Sequence, residues 1–543
     1  EMCFEVPVFT TFDGGETHSR FRISRDGELG IGGMAMNGEV EDYWTEFAKV
    51  GNLVWRDNEN GGDQDEPATN GFNDVQVNLI WAGKDNQIGT ADDRVYSTTT
   101  ATENGIDGKY NFCGVTSGEY RIEIPTIPSG FELTSINNTN DDLDSEGTSV
   151  DFTINSPISQ ITNENGLGDE PTSDNYPDEN TDLTFDFGFI AYDYGDLPTG
   201  FPTTDAETGA HHTIILNMFL GKGIDAELDG AHEDRAGFDG TGGDDNSISN
   251  FTEGSLTGTS DEDGVEFITP MIPGNEACIR VTHSVPSGTG ILNAWIDFNG
   301  DGDFENDNDE QLIFNTIDGI PTGGTTEGIM PAGNMVAQEF CFDVPSDAKF
   351  EGGETHTRFR LSNAGGLSPD GFAVGGEVED YWIEFAKVGN LVWRDNENEG
   401  DQDEPATNGF NDVQVDLIWA GTDNQIGTAD DRTYSTTTAN ENGIDGKYCF
   451  YGLTSGEYKI EIPNPPAGFE QVPSDNANED LDSEGVAVEF TVSNPISQYL
   501  NENGLGDDPT SDNYTDERTD LTFDFGFVAF DYGDLPTGFP TTE

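Results

Sequence analysis

One stretch of this 543-residue chain occurs twice, 338 residues apart. Val50-Gly-Asn-Leu-Val-Trp-Arg-Asp57 returns as Val388-Gly-Asn-Leu-Val-Trp-Arg-Asp395, and Gly38-Glu-Val-Glu-Asp-Tyr-Trp44 returns as Gly376-Glu-Val-Glu-Asp-Tyr-Trp382. Over the 61 residues from Val50 to Tyr110, five positions differ from the later copy: Gly61/Glu399, Asn78/Asp416, Lys84/Thr422, Val95/Thr433 and Thr102/Asn440. Copies this similar imply an array of self-contained units in which adding units mainly adds length. The chain is also out of phase with those units, since Glu1-Met-Cys3 matches Glu339-Phe-Cys341 and Asp531-Tyr-Gly-Asp534 matches Asp193-Tyr-Gly-Asp196. The expectation is a stretch of a longer periodic polypeptide, whose own ends would carry any signal peptide or membrane segment.

Within each unit the pattern is that of short strands between turns. Val75-Gln-Val-Asn-Leu-Ile-Trp81, Tyr120-Arg-Ile-Glu-Ile124 and Leu183-Thr-Phe-Asp-Phe187 alternate apolar with polar residues, and 68 Gly and 25 Pro punctuate the chain. No helical stripe of useful length is present. The predicted fold class is all-β: tandem antiparallel β-sandwich modules in an extended array, each with its own core.

Charge narrows the function. Asp plus Glu number 107 against 21 Lys plus Arg, a formal charge of −86. Repulsion on that scale opposes compaction unless cations neutralise it. Hydrophobic residues make up only 33%, which suits disorder, yet 10% aromatics with seven Trp argue for packed cores. Nucleic acid is excluded as a partner, because phosphate binding needs Lys and Arg patches that this chain lacks.

Two kinds of module can be read. Residues 49–190 and 387–528 resemble the B-type domains of serine-aspartate repeat surface adhesins, the SdrD B-like domains. The resemblance runs from Gly51-Asn-Leu-Val-Trp-Arg-Asp57 through Asp107-Gly-Lys-Tyr110 and Ser117-Gly-Glu-Tyr-Arg-Ile122 to Asp186-Phe-Gly-Phe189. It implies calcium-stabilised β-sandwich spacers on a bacterial surface. Residues 191–386 resemble a GEVED domain, on Gly376-Glu-Val-Glu-Asp380, Asp193-Tyr-Gly-Asp196, Asp261-Glu-Asp-Gly-Val265, the run Leu292 to Asp303, and Arg358-Phe-Arg360. That family implies a large secreted protein, mostly of Bacteroidota. Residues 1–48 resemble the tail of a preceding GEVED domain, and 529–543 the start of the next.

Calcium takes six to eight oxygens, with a glycine at the sharp bend of an EF-hand-type loop. In Asp57-Asn-Glu-Asn-Gly-Gly-Asp-Gln-Asp65, carboxylates fall at positions 1, 3 and 9 and Gly62 at 6, so Asp57, Glu59, Asp63 and Asp65 are candidate ligands. The second copy offers Asp395, Glu397, Glu399, Asp401 and Asp403; Glu399 replaces Gly61 at position 5, so tighter binding is expected there. A second cluster supplies Asp85, Gln87, Asp92 and Asp93, repeated as Asp423, Gln425, Asp430 and Asp431. A third supplies Asp142 and Asp144, repeated as Asp480 and Asp482. The block resembling a GEVED domain contributes Asp297, Asn299, Asp301 and Asp303 around Gly302, followed by Asp309 and Glu310 as closing acids, one or two residues later than in a standard EF-hand. All-oxygen shells favour Ca2+ over zinc or copper. For each cluster the alternative is a solvated acidic turn, and for the acids of Gly376–Asp380 metal binding and strand capping are equally open.

Cys278 and Cys341 fall on two predicted strands of one module, so a disulfide is expected, suiting an oxidising exterior. Cys3 matches Cys341, while Cys113 and Cys449 sit two residues apart in register and read as small buried residues, with interchain bonding as the alternative. Lys49 and Lys387 begin a first strand, but the last strand offers no Asn, so no isopeptide bond is expected between them. Six His occur: His18 and His356 read as surface residues, and His211 and His212 should point to opposite faces of a strand. No Ser-His-Asp order, HExxH, phosphate loop or dinucleotide fingerprint is present, which argues against an enzyme. The reading is a structural segment of a giant extracellular, secreted or cell-surface fibre that reaches toward a surface or another cell. Its expected partners are its own tandem modules, side-by-side copies in a filament, and an unspecified surface target, with no membrane insertion in this segment. The rival is a carbohydrate- or protein-binding adhesion module.

Overall fold

The computed structural model describes residue 6 and residues 15–25, 27–58, 61–62, 64, 68–128, 131–135, 144–156, 161–162, 180–215, 217–224, 226–227, 229–232, 262–304, 310–350, 353–398, 400, 402–472, 483–493, 499–500 and 518–531. Two compact units are resolved, one from the N-terminal side to Tyr192 and one comprising most of the rest.

In the first unit, β1 (Glu16–Ile23) pairs antiparallel with β2 (Glu39–Glu46). The first repeat copy follows as β3 (Ala48–Arg56), β4 (Gln76–Trp81), β5 (Arg94–Thr99), β6 (Ala101–Glu103), β7 (Ile106–Val115), β8 (Gly118–Glu123), β9 (Glu132–Leu133), β10 (Ser149–Ile154), β11 (Ile161–Thr162), β12 (Thr181–Asp182) and β13 (Phe187–Ile190). One sheet runs in the order β11-β10-β8-β4-β5 and the other β6-β7-β3-β13-β9, with β12 also on β3. Alternation explains the layering. Tyr120 and Ile122 on β8 point inward beside half-buried Glu119, Arg121 and Glu123. Tyr120 stacks on Phe152 of β10, and Val50 and Val54 of β3, Val77 and Leu79 of β4, and Phe187 and Phe189 of β13 are likewise buried.

Pairing is antiparallel throughout this sandwich except at its closure, where β12 and β13 both run parallel to β3. The predicted strand Leu183–Phe187 is interrupted between β12 and β13. Asp182 Oδ1 accepts the Thr184 N–H at 3.3 Å, and Asp186 Oδ1 accepts the Leu53 N–H at 3.0 Å. Such side-chain bonds to backbone compete with the ladder and bend the segment. The repeated Phe-Gly-Phe has a steric cause: a Cβ on Gly188 would lie 2.8 Å from the Trp55 ring, and one on Gly526 would lie 2.7 Å from Trp393.

The intervening module contains β14 (Tyr192–Tyr194), β15 (His211–Thr213), β16 (Phe219–Leu220), β17 (Val265–Phe267), β18 (Glu276–Ile296), β19 (Phe314–Ile317), β20 (Ile320–Thr325), β21 (Gly328–Asp343), β22 (Glu354–Ser362), β23 (Phe372–Ala373) and β24 (Gly376–Glu384). Its main sheet runs β20-β19-β21-β18-β22-β24, with β16 and β17 pairing β18. Cys278 and Cys341 sit directly opposite each other on β18 and β21 and form a disulfide.

The second copy repeats the first as β25 (Ala386–Arg394), β26 (Gln414–Trp419), β27 (Arg432–Thr437), β28 (Ala439–Glu441), β29 (Ile444–Leu453), β30 (Gly456–Glu461), β31 (Glu470–Gln471), β32 (Ala487–Val492), β33 (Tyr499–Leu500), β34 (Thr519–Asp520) and β35 (Phe525–Val528), with equivalent sheets. One core joins both of them, from Val388, Val392, Val415 and Leu417 to Tyr458, Ile460, Phe490, Phe525 and Phe527. This core also takes in Ile272 of the preceding module. There Met271 N–H donates to Gly452 C=O at 2.8 Å, and buried Arg518 bridges Glu354 and Glu384 at 2.8 Å each. Cys113, expected to be buried, is exposed, and Cys449 is half-buried.

Candidate metal centre

The 297–310 loop brings its acids together. β18 ends at Ile296 and delivers Asp297 into the interior, where Oδ1 accepts Gly300 N–H at 2.7 Å and Oδ2 accepts Gly302 N–H at 3.0 Å. Gly300 and Gly302 both have positive φ, which lets the backbone curl around the carboxylate. The Asn299 side-chain carbonyl accepts Asp301 N–H at 2.7 Å, and Asp301 Oδ1 accepts Asp303 N–H at 3.3 Å. The chain returns through an antiparallel bridge between Trp295 and Gln311, with Ile296 N–H donating to Glu310 C=O at 2.9 Å. Carboxylate oxygens of Asp297, Asp301 and Glu310 thereby lie within 4.8 Å of one another. Asp297 and Glu310 are each only 2% exposed. Burial pushes the Asp297 carboxyl up, and Asp301 adds like charge. Among the described residues one other group of potential ligands is as tight, Glu276 with Cys278 and Cys341, but its sulfurs are committed to the disulfide.

The EF-hand-type loop of the second copy is built on Asp395, buried at the end of β25. Its Oδ1 accepts Glu397 N–H at 2.7 Å and Asn398 N–H at 2.6 Å, and Oδ2 accepts Gly400 N–H at 2.9 Å. Glu404, which the spacing argument passed over, also turns inward. Its Oε1 accepts Asn396 N–H at 2.6 Å, while Oε2 is buried with no hydrogen-bond partner among the described residues. Burial pushes the Glu404 carboxyl up, and Asp395 and Asp403 add negative charge. An orphaned buried carboxylate oxygen facing like charges fits a cation-binding loop. Glu397 and Asp403 are exposed at its rim. In the first copy buried Asp57 keeps the Gly62 N–H bond at 2.8 Å and also accepts the Thr134 hydroxyl.

The second cluster closes on a threonine. Thr90 Oγ1 lies 3.3 Å from Asp85 Oδ1, 2.9 Å from Asp92 Oδ1 and 3.3 Å from Asp93 Oδ1. Thr428 repeats this with Asp423 at 3.4 Å, Asp430 at 2.7 Å and Asp431 at 3.2 Å. Backbone N–H groups of Gln87 and Gln425 bind Asp85 and Asp423, so these two residues shape the turn through their main chain. The Lys84 N–H and then the Thr90 hydroxyl hold Asp92 below the usual carboxylate range, and Thr428 does so first for Asp430. Of the third cluster, Asp144 is buried. Glu59, Asp63, Asp65, Asp142, Asp309, Glu399, Asp401, Asp480 and Asp482 lie outside the described residues.

The acids of Gly376–Asp380 are structural caps. Asp380 forms a two-pronged ion pair with Arg358, Nε to Oδ1 2.8 Å and Nη2 to Oδ2 2.7 Å, with both side chains fully enclosed. Its Oδ2 also accepts Asp196 N–H at 2.9 Å. Glu379 Oε1 accepts Gly264 N–H at 2.9 Å, Glu377 accepts Leu220 N–H, and Val378 N–H donates to Asp193 Oδ2 at 2.6 Å. Each acid of the motif thus ties down a different loop, which accounts for the motif and for its companion Asp193-Tyr-Gly-Asp196. His356, expected at the surface, instead packs between Phe201 and Trp382.

The SdrD B-like domain family matches residues 48–171 and 386–522, and the GEVED domain family matches residues 291–384. Along the chain a GEVED match thus lies between two SdrD B-like matches. Serine-aspartate repeat-containing protein D of Staphylococcus aureus (strain NCTC 8325 / PS 47) is 24% identical over 587 aligned positions, covering 86% of this chain and 41% of that protein. Serine-aspartate repeat-containing protein E of strain N315 is 37% identical over 132 residues, 24% of this chain and 10% of that protein. This chain therefore spans well under half the length of those relatives. Among solved structures, the full-length major pilin SpaD from Corynebacterium diphtheriae is similar with a TM-score of 0.28 and 9% identity, covering 89% of this chain and 97% of that one.

Proposed function

We propose that this chain is a structural repeat segment of a long extracellular adhesin stalk or fibre, with SdrD B-like domains at 49–190 and 387–528 and GEVED domains at 191–386 and in the flanking 1–48 and 529–543, stiffened by calcium in its acidic loops. The observation that carries it is the cluster of Asp297, Asp301 and Glu310, two of whose carboxylates are buried with their oxygens within 4.8 Å of one another. Like charges gathered in this way destabilise a fold unless a cation joins them. Asp297, Asp301 and Glu310, with Asn299, Asp303 and Asp309 beside them, would hold the ion in the GEVED domain. In the SdrD B-like domains Asp395, Glu397, Glu399, Asp401, Asp403 and Glu404, and their counterparts Asp57, Glu59, Asp63 and Asp65, would do so. The clusters Asp85/Asp92/Asp93 and Asp423/Asp430/Asp431, with Gln87 and Gln425, and the pairs Asp142/Asp144 and Asp480/Asp482, are further candidates. Bound calcium supplies divalent charge and oxygen coordination, and binding that requires the folded loop stabilises the fold.

The junction from GEVED to SdrD B-like domain supports a stalk. Only buried Phe385 separates β24 from β25, Ile272 enters the SdrD B-like core, and Arg518 clamps Glu354 and Glu384. No helix among the described residues is long and apolar enough to cross a membrane. The rival ligand-gripping reading has a concavity of about 370 Å³ beside the GEVED loop, lined by Phe298, Gln311, Asn315, Asp343 and Asp347, but its aromatic ring, Phe298, is buried rather than presented to a ligand.

Thermal unfolding tests the calcium reading. At free calcium a hundredfold above Kd, each site adds about 2.7 kcal/mol, so chelation should lower Tm and open Asp57, Asp85 and Asp297 to protease. Sodium at matched ionic strength should restore neither. Rescue by monovalent salt would reduce the effect to charge screening and end the proposal. Asp297→Asn should remove the part of the calcium response that belongs to the GEVED domain.

A further inference from the structure

Each SdrD B-like domain contains a polar cluster apart from the carboxylates assigned to calcium, although Gln64 of the Asp57–Asp65 loop also reaches Asp186 in the first. In the first, Lys109 Nζ from β7 donates to Asn52 Oδ1 on the adjoining strand β3. Asn52 Nδ2 donates to Asp186 Oδ2 at 3.0 Å, and Asp186 Oδ1 is fixed by the Leu53 N–H at 3.0 Å. The second domain repeats the arrangement from its own residues. Lys447 donates to Asn390, Asn390 Nδ2 donates to Asp524 Oδ2 at 3.3 Å, and Asp524 Oδ1 accepts Leu391 N–H at 2.9 Å. Both aspartates are fully enclosed, and Asn52 is nearly so.

This is a geometry for joining side chains. Both amide atoms of an asparagine hang on Cγ, so a lysine nitrogen in hydrogen-bond contact with one of them is already within reach of the carbon. Holding amine and amide together in this way removes much of the entropic barrier to their reaction. A lysine attacks only as the neutral amine, and the enclosed acid provides for that. Burial drives the carboxyls of Asp186 and Asp524 well above the ordinary range, even with Lys109 and Lys447 pulling the other way. In a low-dielectric site the neutral amine and carboxylic acid are favoured over two buried charges.

We propose that each SdrD B-like domain is crosslinked by an intramolecular isopeptide bond, Lys109 to Asn52 and Lys447 to Asn390, with Asp186 and Asp524 relaying the proton. The neutral Nζ attacks Cγ and the new C–N bond forms. The aspartic acid gives its proton to the departing Nδ2 and takes one from Nζ. The Cγ–Nδ2 bond breaks and ammonia leaves. Amine plus carboxamide becomes secondary amide plus ammonia, with no change of oxidation state and no co-reactant. The lysine differs from the first-strand Lys49 and Lys387 considered in the sequence, and the asparagine lies on the first strand rather than the last.

Mass spectrometry of the intact, reduced and denatured chain tests the bond directly. The expected mass is the sequence mass less one ammonia for each SdrD B-like domain. A tryptic digest should yield branched peptides joining the Asn52 and Lys109 segments, and the Asn390 and Lys447 segments, with no cleavage after either lysine. Full sequence mass with normal cleavage after Lys109 and Lys447 overturns the proposal. So does an ammonia loss that survives in Lys109→Arg and Lys447→Arg, which would mark a cyclised asparagine instead. Asp186→Asn should restore the missing ammonia in the first domain while Asp524 continues to serve the second, and a bond that persists in it removes the aspartate from the chemistry. Should that variant fail to fold, the presence or absence of branched peptides from the unaltered chain still upholds or overturns the crosslink.

Discussion

Strands β1 and β2 repeat β22 and β24 almost residue for residue, and their surroundings could hardly differ more. Register is the same in both pairs: Arg20 faces Asp42 as Arg358 faces Asp380, and His18 faces Trp44 as His356 faces Trp382. Arg20 and Asp42 form an ion pair with each side chain about half exposed, whereas Arg358 and Asp380 are fully enclosed. Phe21 is 55% exposed and its counterpart Phe359 is 0% exposed. Pairing and register are therefore local properties of the two strands. Burial comes from the loops around Asp193, Leu220 and Gly264, which the acids of β24 hold in place and which have no described counterpart against β2.

That contrast can be broken or sharpened by substitution. Asp380→Ala leaves Arg358 enclosed and unpaired, and should destabilise the GEVED domain by about 3–5 kcal/mol, read by urea unfolding. A loss comparable to that of a surface pair would show that the clamp does not hold the fold. Phe359→Ala should cost on the order of 3–5 kcal/mol through the cavity it leaves, while Phe21→Ala should stay within about 0.5 kcal/mol. Equal effects would mean that β1 and β2 are covered in solution.

A third expected difference is in pH. His212 is buried with its Nε2 accepting Arg360 Nε–H at 3.0 Å, and burial first, then Arg360, depresses its pKa well below 6.5. The unfolded chain therefore takes up a proton that the folded domain refuses. The stability contributed by neutral His212 is fully present above about pH 6.5 and is lost as pH falls below it. His212→Gln should flatten that acid limb of the stability profile, and an unchanged slope would assign it to other groups. Asp42→Ala should be the smallest effect of all, with no measurable change in melting.

Much of this was legible in the sequence. Alternation placed strands at Val75–Trp81 and Tyr120–Ile124, close to the observed β4 and β8, and Cys278 with Cys341 pointed to the disulfide. The break at Leu183–Phe187 was not legible, because the carboxylates of Asp182 and Asp186 bind backbone groups that a periodicity argument assigns to the ladder. Loop spacing picked out Asp297, Asp301 and Glu310, yet passed over Glu404, since nothing in a spacing rule says which of two adjacent acids turns inward. The Gly-Glu-Val-Glu-Asp acids were ambiguous for a related reason. Their partners are backbone N–H groups far along the chain, as with Glu379 and Gly264 or Asp380 and Asp196, and a backbone donor leaves no mark in composition. The Lys109, Asn52 and Asp186 cluster was hidden in the same way, assembled from three segments that only the closed sandwich brings together.

The parallel closure of each SdrD B-like domain bears on how such a stalk would carry a load. The domain begins on β3 and finishes on β13, and these neighbours run in the same direction. Tension applied at the two ends pulls them past each other lengthwise, so the hydrogen bonds of the ladder that pairs Val54–Arg56 with Phe187–Phe189 are strained together. An antiparallel closure would peel open one bond at a time. Domains closed in this way yield late and abruptly when pulled from their two ends.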